Sequence, residues 1–191
     1  LPTSILDMIE EANDYYFPSL TGVYLKVTRT LITIATVFFT PLYLLFMQNQ
    51  QWLPEAFEFV AVRDTVNIPL IFQFLLLELS IDGLRLAAMN TPTMLSTPLS
   101  VIAGIVMGEF SVQSGWFNSE VMLYMAFVAV ANYTQPNFEL GYALKFMRLM
   151  LLILTAAFNL YGFIIGCILV LCFLIFNKTL SGRNYLNIKL N

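Results

Sequence analysis

The chain contains four long stretches without a charged residue, and these stretches constrain its fold more than any other feature. They are residues 30–54, 86–108, 121–138 and 149–177. Each is close to or above the roughly 18–20 apolar residues that an α-helix needs to cross a bilayer. Overall, 59% of the residues are hydrophobic and 11% are charged, whereas a soluble domain carries about a quarter charged residues. The sequence therefore predicts an all-α fold, a polytopic helical bundle in the lipid bilayer.

The same composition excludes several classes of function. The net charge is −3 and no run of Lys or Arg is present, which argues against nucleic acid as a partner. The chain has no His, so it lacks both imidazole zinc ligands and a histidine general base. Cys167 and Cys172 have neither a CxxC nor a metal-knuckle spacing, and we expect them to be apolar filler. With no phosphate-binding loop either, we expect no enzyme, no metal site and no cofactor.

Charges at the ends of the apolar stretches predict how the chain is threaded. Residues 1–23 read as a hydrophilic lead-in, residues 24–180 as the transmembrane domain and residues 181–191 as a cytoplasmic tail. Basic residues concentrate on the cytoplasmic side of membrane proteins. Lys26 and Arg29 therefore place the first end in the cytoplasm, and Lys178 with Arg183 place the last end there too.

Two cytoplasmic ends require an even number of crossings, but the pattern predicts five helices. They cover residues 24–47, 68–89, 97–113, 119–131 and 149–177. Either the second helix is interfacial or re-entrant, or residues 149–177 are two short helices bent at residues 159–162. We prefer the first alternative, which gives about four spanning helices plus an interfacial or re-entrant helix. Its cost is that Lys145 and Arg148, in a charged lead-in before the last helix, lie on the outer side.

An acidic and basic stripe marks the second predicted helix. Glu78, Asp82 and Arg85 recur at spacings of four and three residues, so they share one helical face. An ionisable side chain at bilayer depth costs roughly 2.5–3.5 kcal/mol on insertion scales, so the trio needs partners, water or a function. Two interpretations stay open. The stripe is either an internally compensated ion cluster or the lining and gate of a hydrated cation pathway.

Small residues mark the third predicted helix. Ser96, Ser100, Gly104 and Gly108 recur every four residues, a ridge that lets helices approach closely in lipid. The partner helix lies either in the same chain or in another subunit. Glu109 ends this helix and is either a membrane-edge marker or part of a vestibule that concentrates cations. Gly162 and Gly166 form a shorter ridge or a helix bend.

Several of these motifs occur together and in order, which makes their combination specific. The motifs are ELSIDGLR at residues 78–85, NTP at 90–92, GEFS at 108–111, WFNSE at 116–120 and NYTQP at 132–136. In this order the chain, from about residue 14 to residue 186, resembles the membrane region of the GerA family of bacterial spore germination proteins. Glu78, Asp82 and Arg85 match a family pattern of Glu-Leu-x-x-acid-x-Leu-Arg, and Pro136, Lys145 and Arg148 match a second one.

The resemblance implies a function. Family A subunits are integral proteins of the spore inner membrane that form oligomeric, pentameric ion channels and release monovalent cations during germination, with other spore germination membrane proteins as partners. The large hydrophilic domain that precedes the membrane region in this family is absent. We therefore expect a fragment, with residues 1–23 as the remnant of that cytoplasmic domain. The alternatives are a secondary transporter with a site between broken helices, and a non-conducting scaffold subunit of a germinant receptor.

Overall fold

The computed structural model describes Ile9, residues 18–61, Val66, residues 68–90, Pro98, residues 101–135 and residues 137–176. Every regular element in these residues is a helix, which confirms the predicted all-α class. The main helices are α1 (Ser19–Gln48), α2 (Leu70–Asn90), α3 (Val101–Gln113), α4 (Ser119–Tyr133) and α5 (Phe138–Phe176). Two short 3-10 helices, Gln50–Trp52 and Glu55–Val60, lie in the predicted loop between α1 and α2. Two helices are long and apolar enough to cross a membrane, over Leu20–Gln48 and Glu139–Ile175.

The start of α5 corrects one prediction. The expected lead-in before residue 149 is already helical, and the helix begins at Phe138. Asn137 caps it, because the Asn137 side-chain oxygen accepts a hydrogen bond from the Glu139 backbone N–H at 2.9 Å. Lys145 and Arg148 therefore lie in the second and third turns of α5 and not in a loop before it.

A break at Asn159 divides α5 into an N-terminal half, residues 138–158, and a C-terminal half, residues 160–176. Asn159 has φ 53° and ψ −131°, outside the helical region. Beyond it the chain reverses, since Val170 and Leu140 belong to one buried cluster although a straight helix would separate them by about 45 Å. The bend expected at residues 159–162 is therefore present. This bend belongs to the second predicted alternative, in which residues 149–177 form two short helices.

Glycines allow the two halves of α5 to meet. A Cβ atom on Gly162 would collide with the backbone carbonyl oxygen of Leu154, and one on Gly166 would lie 2.6 Å from Leu151 Cδ2. The two halves of α5 thus pack so closely here that no side chain fits between their backbones at Gly162. The short ridge of the sequence is an intrachain packing surface, and it coincides with the bend.

The described helices fall into two compact units. The first comprises Leu1–Leu45 and Val130–Asn191 and contains most of α1 and all of α5. Its core is a cluster of buried apolar residues from both helices, with Val37 of α1 packed among residues of α5.

The second unit, Phe46–Ala129, contains α2, α3 and most of α4. Within it, the amide group of Gln73 donates to the carbonyl oxygen of Ile68 at 2.8 Å and accepts from the Asn118 N–H at 3.0 Å. This buried side chain therefore ties α2 to the segment that precedes α4.

Changing Gly162 to Ala tests the chain reversal. We expect Gly162→Ala to lower the free energy of unfolding by about 3 kcal/mol, the upper part of the usual range for overpacking, because the added methyl meets backbone and not a flexible side chain. Gly83→Ala is the matched control, since an added Cβ on this exposed glycine of α2 meets nothing within 4 Å. That control should be neutral or stabilising by up to about 1 kcal/mol. Denaturant unfolding in detergent micelles, followed by circular dichroism, measures both; equal effects would contradict the reversal.

Candidate functional site

The predicted acidic and basic stripe lies entirely on α2. Glu78 is only 4% exposed, and Asp82 and Arg85 are half-buried. Each of the three residues has an interaction partner within the protein. A glutamate is almost never so deeply buried unless it is paired. Glu78 is therefore buried away from solvent, and it has an interaction partner inside the protein.

The two faces of α2 have opposite chemistry. The buried residues Gln73, Phe74, Leu77 and Glu78 form one face, and Asp82 continues it one turn further on. The opposite face carries Phe72, Leu76, Leu79 and Leu86, all exposed, with Leu79 at 70%. Glu78 thus points into the protein, with Asp82 and Arg85 half-buried, whereas the exposed residues of the opposite face are apolar. This is the reverse of a helix on the surface of a soluble protein, and it suits a helix in contact with lipid.

The small-residue ridge is only partly described. Gly104 and Gly108 lie in α3, whereas Ser96 and Ser100 lie outside the described residues. An added Cβ on either glycine would meet nothing within 4 Å. Residues Ile105–Phe110 of this helix form a π-helical turn, a wider turn that often marks functional sites.

Glu109 forms a hydrogen bond within α3 and not with the charged residues of α2. It is exposed in the π-helical turn, and its Oε1 atom accepts a hydrogen bond from the Gln113 side chain at 3.2 Å. Ser111 bonds the carbonyl oxygen of Val106, five residues earlier, at 2.9 Å. The predicted pathway residues therefore lie on two helices, α2 and α3, and Glu109 has its own partner.

Sequence reasoning missed a second polar site, inside the first unit. Lys145 is 6% exposed and Arg148 is 2% exposed, so both are buried and do not lie in the charged lead-in expected from the sequence. The Arg148 Nη1 atom donates a hydrogen bond to the main-chain oxygen of Thr36 on α1, at 2.9 Å. Two basic residues one turn apart are thus buried, and one of them, Arg148, bonds a helix that was predicted to be a plain membrane span.

Threonines give α1 a polar face toward this site. Thr33, Thr36 and Thr40 are all buried, and their spacings of three and four residues place them on one face. Thr33 Oγ1 accepts a hydrogen bond from the Gln135 side-chain amide at 3.0 Å. The signal in the sequence was this threonine spacing together with the i, i+3 spacing of Lys145 and Arg148.

Pro41 lies close to this acceptor on α1. A proline inside a helix removes one backbone N–H, and its ring displaces the preceding turn. Pro41 lies inside α1, so the N–H that would bond the Val37 carbonyl is missing. Thr36 directly precedes Val37, and its carbonyl oxygen has two lone pairs, so it can accept both from the N–H of Thr40 and from the Arg148 guanidinium.

Arg148→Met should lower the free energy of unfolding by about 1–3 kcal/mol, the cost of a lost hydrogen bond in a buried site. Arg148→Lys should lose less, because a charge and donors remain. Thr36→Ala is the control, since it keeps the main-chain acceptor, and the double variant should show additive effects. Denaturant unfolding in micelles gives the four free energies. A strong non-additive coupling between the two positions would show that Arg148 depends on the threonine side chain instead.

Comparison with known proteins places these features in context. The family model described as Bacillus/Clostridium GerA spore germination protein matches residues 1–190. Stage V sporulation protein AF of Bacillus subtilis (strain 168) is 35% identical over 165 residues, which cover 86% of this chain and 34% of that protein. Spore germination protein A1 of the same organism is 26% identical over 173 residues, 89% of this chain and 36% of that protein.

A third relative is named as a membrane protein. The uncharacterized membrane protein YfkQ of Bacillus subtilis (strain 168) is 22% identical over 171 residues, 88% of this chain and 33% of that protein. The chain thus spans about a third of the length of these relatives. No solved structure shows a significant match to it.

Proposed function

The chain belongs to the Bacillus/Clostridium GerA spore germination protein family, and from that premise we propose that it is a non-enzymatic membrane subunit of a spore germination complex. In this proposal it resides in the spore inner membrane and forms, with further copies, an oligomeric channel that releases cations during germination. We propose that this oligomer contains five copies of the chain. Other spore germination membrane proteins are its partners.

One observation carries the conduction proposal, namely the inverted distribution of charge on α2. Glu78 is buried on the same face as Asp82, while the opposite face is apolar and exposed. Acidic side chains turned away from lipid are the groups that cation pathways present to permeating ions. Arg85, on the same face, would hold the carboxylates in an ion-paired, closed state and release them when the pathway opens.

The same distribution supports α2 as a membrane span. Its 21 residues extend about 32 Å, close to the roughly 30 Å hydrocarbon core. With α1 and the two halves of α5, α2 gives four crossings and both ends in the cytoplasm. In this arrangement α3 and α4, with 13 and 15 residues by their bounds, form the re-entrant part.

This threading also takes the basic residues of α5 off the outer face. The N-terminal half of α5 starts on the cytoplasmic side, so Lys145 lies nearer that side and Arg148 lies at the middle of residues 138–158. The turn at Asn159 lies on the outer side of the membrane in this arrangement. The cost of the arrangement preferred from the sequence, basic residues on the outer face, is thereby removed.

Helix α3 is the proposed contact between copies. Gly104 and Gly108 leave open space where a Cβ atom would stand, so a helix of another copy can approach the backbone there. The π-helical turn carries Glu109 beside this surface. Copies joined through α3 would bring one Glu109 from each subunit toward a common axis, as a ring of acids at the channel mouth.

Neutralising the stripe should reduce conduction. We expect Glu78→Gln to lower the cation conductance of the reconstituted protein roughly tenfold, which corresponds to about 1.4 kcal/mol of lost stabilisation of a permeating cation. Glu55→Gln makes the same charge change at an exposed site in a 3-10 helix and should leave conductance unchanged. Planar-bilayer recordings and cation release from spores that carry each variant measure the effect.

Two outcomes would contradict the channel. Saturable uptake of one solute without a conductance would favour a secondary transporter. An intact complex with no conductance, in which Glu78→Gln and Arg85→Gln leave cation release unchanged, would leave a scaffold that anchors other germination proteins.

Cysteine labelling tests the proposed threading. Tyr161 is 76% exposed just after the turn in α5, so Tyr161→Cys, with Cys167 and Cys172 replaced by Ser, should react with a membrane-impermeant maleimide added outside. The control, Ser114→Cys in the same background at the exposed α3–α4 turn, should react only from the cytoplasmic side. Labelling of residue 161 only after the membrane is permeabilised would contradict an outward-facing turn.

A further inference from the structure

A groove of about 600 Å³ lies between the two halves of α5. One wall is formed by Tyr142, Phe146, Met147 and Met150 on the N-terminal half, and the facing wall is formed by residues 169, 170 and 173 on the C-terminal half. The walls on both sides are almost wholly apolar. Neither the charge stripe of α2 nor Arg148 lines this groove, so the proposed cation pathway gives it no role.

The groove has chemically different ends. Glu139 contributes the only charged side chain among the described residues that line it, and this carboxylate is exposed. From Glu139 to Met150 the wall runs eleven residues along a helix, about 16 Å. A long apolar slot with one acid at its end is complementary to an amphiphile with a cationic head and an apolar tail.

The position of Glu139 along the helix fits a lipid headgroup. Glu139 is the first residue of the apolar span Glu139–Ile175, so a crossing helix would hold its carboxylate at the edge of the hydrocarbon. The backbone bond from Glu139 to the Asn137 side chain fixes the start of the helix there. Tyr142, one turn deeper, has the amphipathic ring that favours the interface.

The side chains of the wall suit an occupant of irregular shape. Met147 and Met150 are half-buried and pack against the core of the first unit. Unbranched methionine side chains adjust to fill uneven apolar gaps. An acyl chain, which adopts many bends, makes this kind of contact.

We propose that the groove binds one acyl chain of a phospholipid of the cytoplasmic leaflet whose primary-amine headgroup is held by Glu139. The proposal rests on the membrane crossing of α5 set out above, and it adds a lipid site to it. The ammonium group donates charge-assisted hydrogen bonds to the carboxylate. A phosphocholine head keeps the positive charge but has no N–H donor, and a phosphoglycerol head has neither.

Photocrosslinking in nanodiscs tests this site. The protein is reconstituted with lipids that carry a photoreactive acyl chain and an ethanolamine, choline or glycerol headgroup, each at the same mole fraction. Crosslinks are mapped by mass spectrometry to the groove walls. We expect the ethanolamine lipid to give about tenfold more crosslinks than the glycerol lipid, with choline between them.

Three variants and a control separate the parts of the site. Glu139→Gln, an exposed change that leaves the helix intact, should reduce the headgroup preference to less than about twofold. Glu55→Gln, an exposed acid of the other unit, should retain it. Ala143→Leu and Ala143→Phe place increasing bulk in the groove wall and should reduce crosslinking of every lipid in that order.

Several results would overturn the lipid site. They are equal crosslinking of all three headgroups, retention of the preference in Glu139→Gln, no effect of filling at residue 143, and crosslinks to a second protein or a second copy in place of lipid. Conductance is not used as a readout. A channel that fails to conduct while the headgroup preference holds would therefore refute only the conduction proposal.

Discussion

Hydrocarbon does not solvate charge, and the arrangement of this chain follows from that constraint. Glu78 on α2 and Arg148 on α5 lie within apolar sequences, and both are turned toward protein. On α2 the buried face holds Glu78, and the exposed face is built of leucine and phenylalanine. On α5, Arg148 is buried and bonded to the main chain of α1. The burial of these groups costs free energy that only partners inside the protein, or water held there, can offset.

Much of the fold could be predicted because local signals suffice for it. Long uncharged stretches gave α1 and much of α5, and the end of α2 at Asn90 falls where proline follows two residues later. The break after α3 follows from Ser114 and from Gly115, which has a positive φ of 72°. These features depend on residues close in sequence, so composition and spacing were enough.

The parts that escaped prediction depend on contacts between distant residues. Lys145 and Arg148 looked like a charged lead-in, because charge alone does not reveal that Arg148 is buried and bonds the main chain of α1. The spacing of Gly162 and Gly166 fitted a packing ridge and a helix bend equally well. Their proximity to Leu154 and Leu151 shows that the chain bends and that both glycines pack within α5. Spacing alone does not reveal this contact. The stripe itself was found from spacing, but its inward direction was not.

The reversal at Asn159 also bears on how the protein is made. Contacts within α5 join residues 8 to 15 positions apart, such as Leu154 with Gly162 and Leu151 with Gly166, whereas Val37 of α1 joins the same cluster from more than a hundred residues away in sequence. Short-range contacts form fastest, because little chain entropy is lost in closing them. Both arms of α5 can therefore enter the bilayer together as one helical hairpin during synthesis, with α1 docking afterwards. In that order of events, α1 joins the buried cluster only after the hairpin has formed.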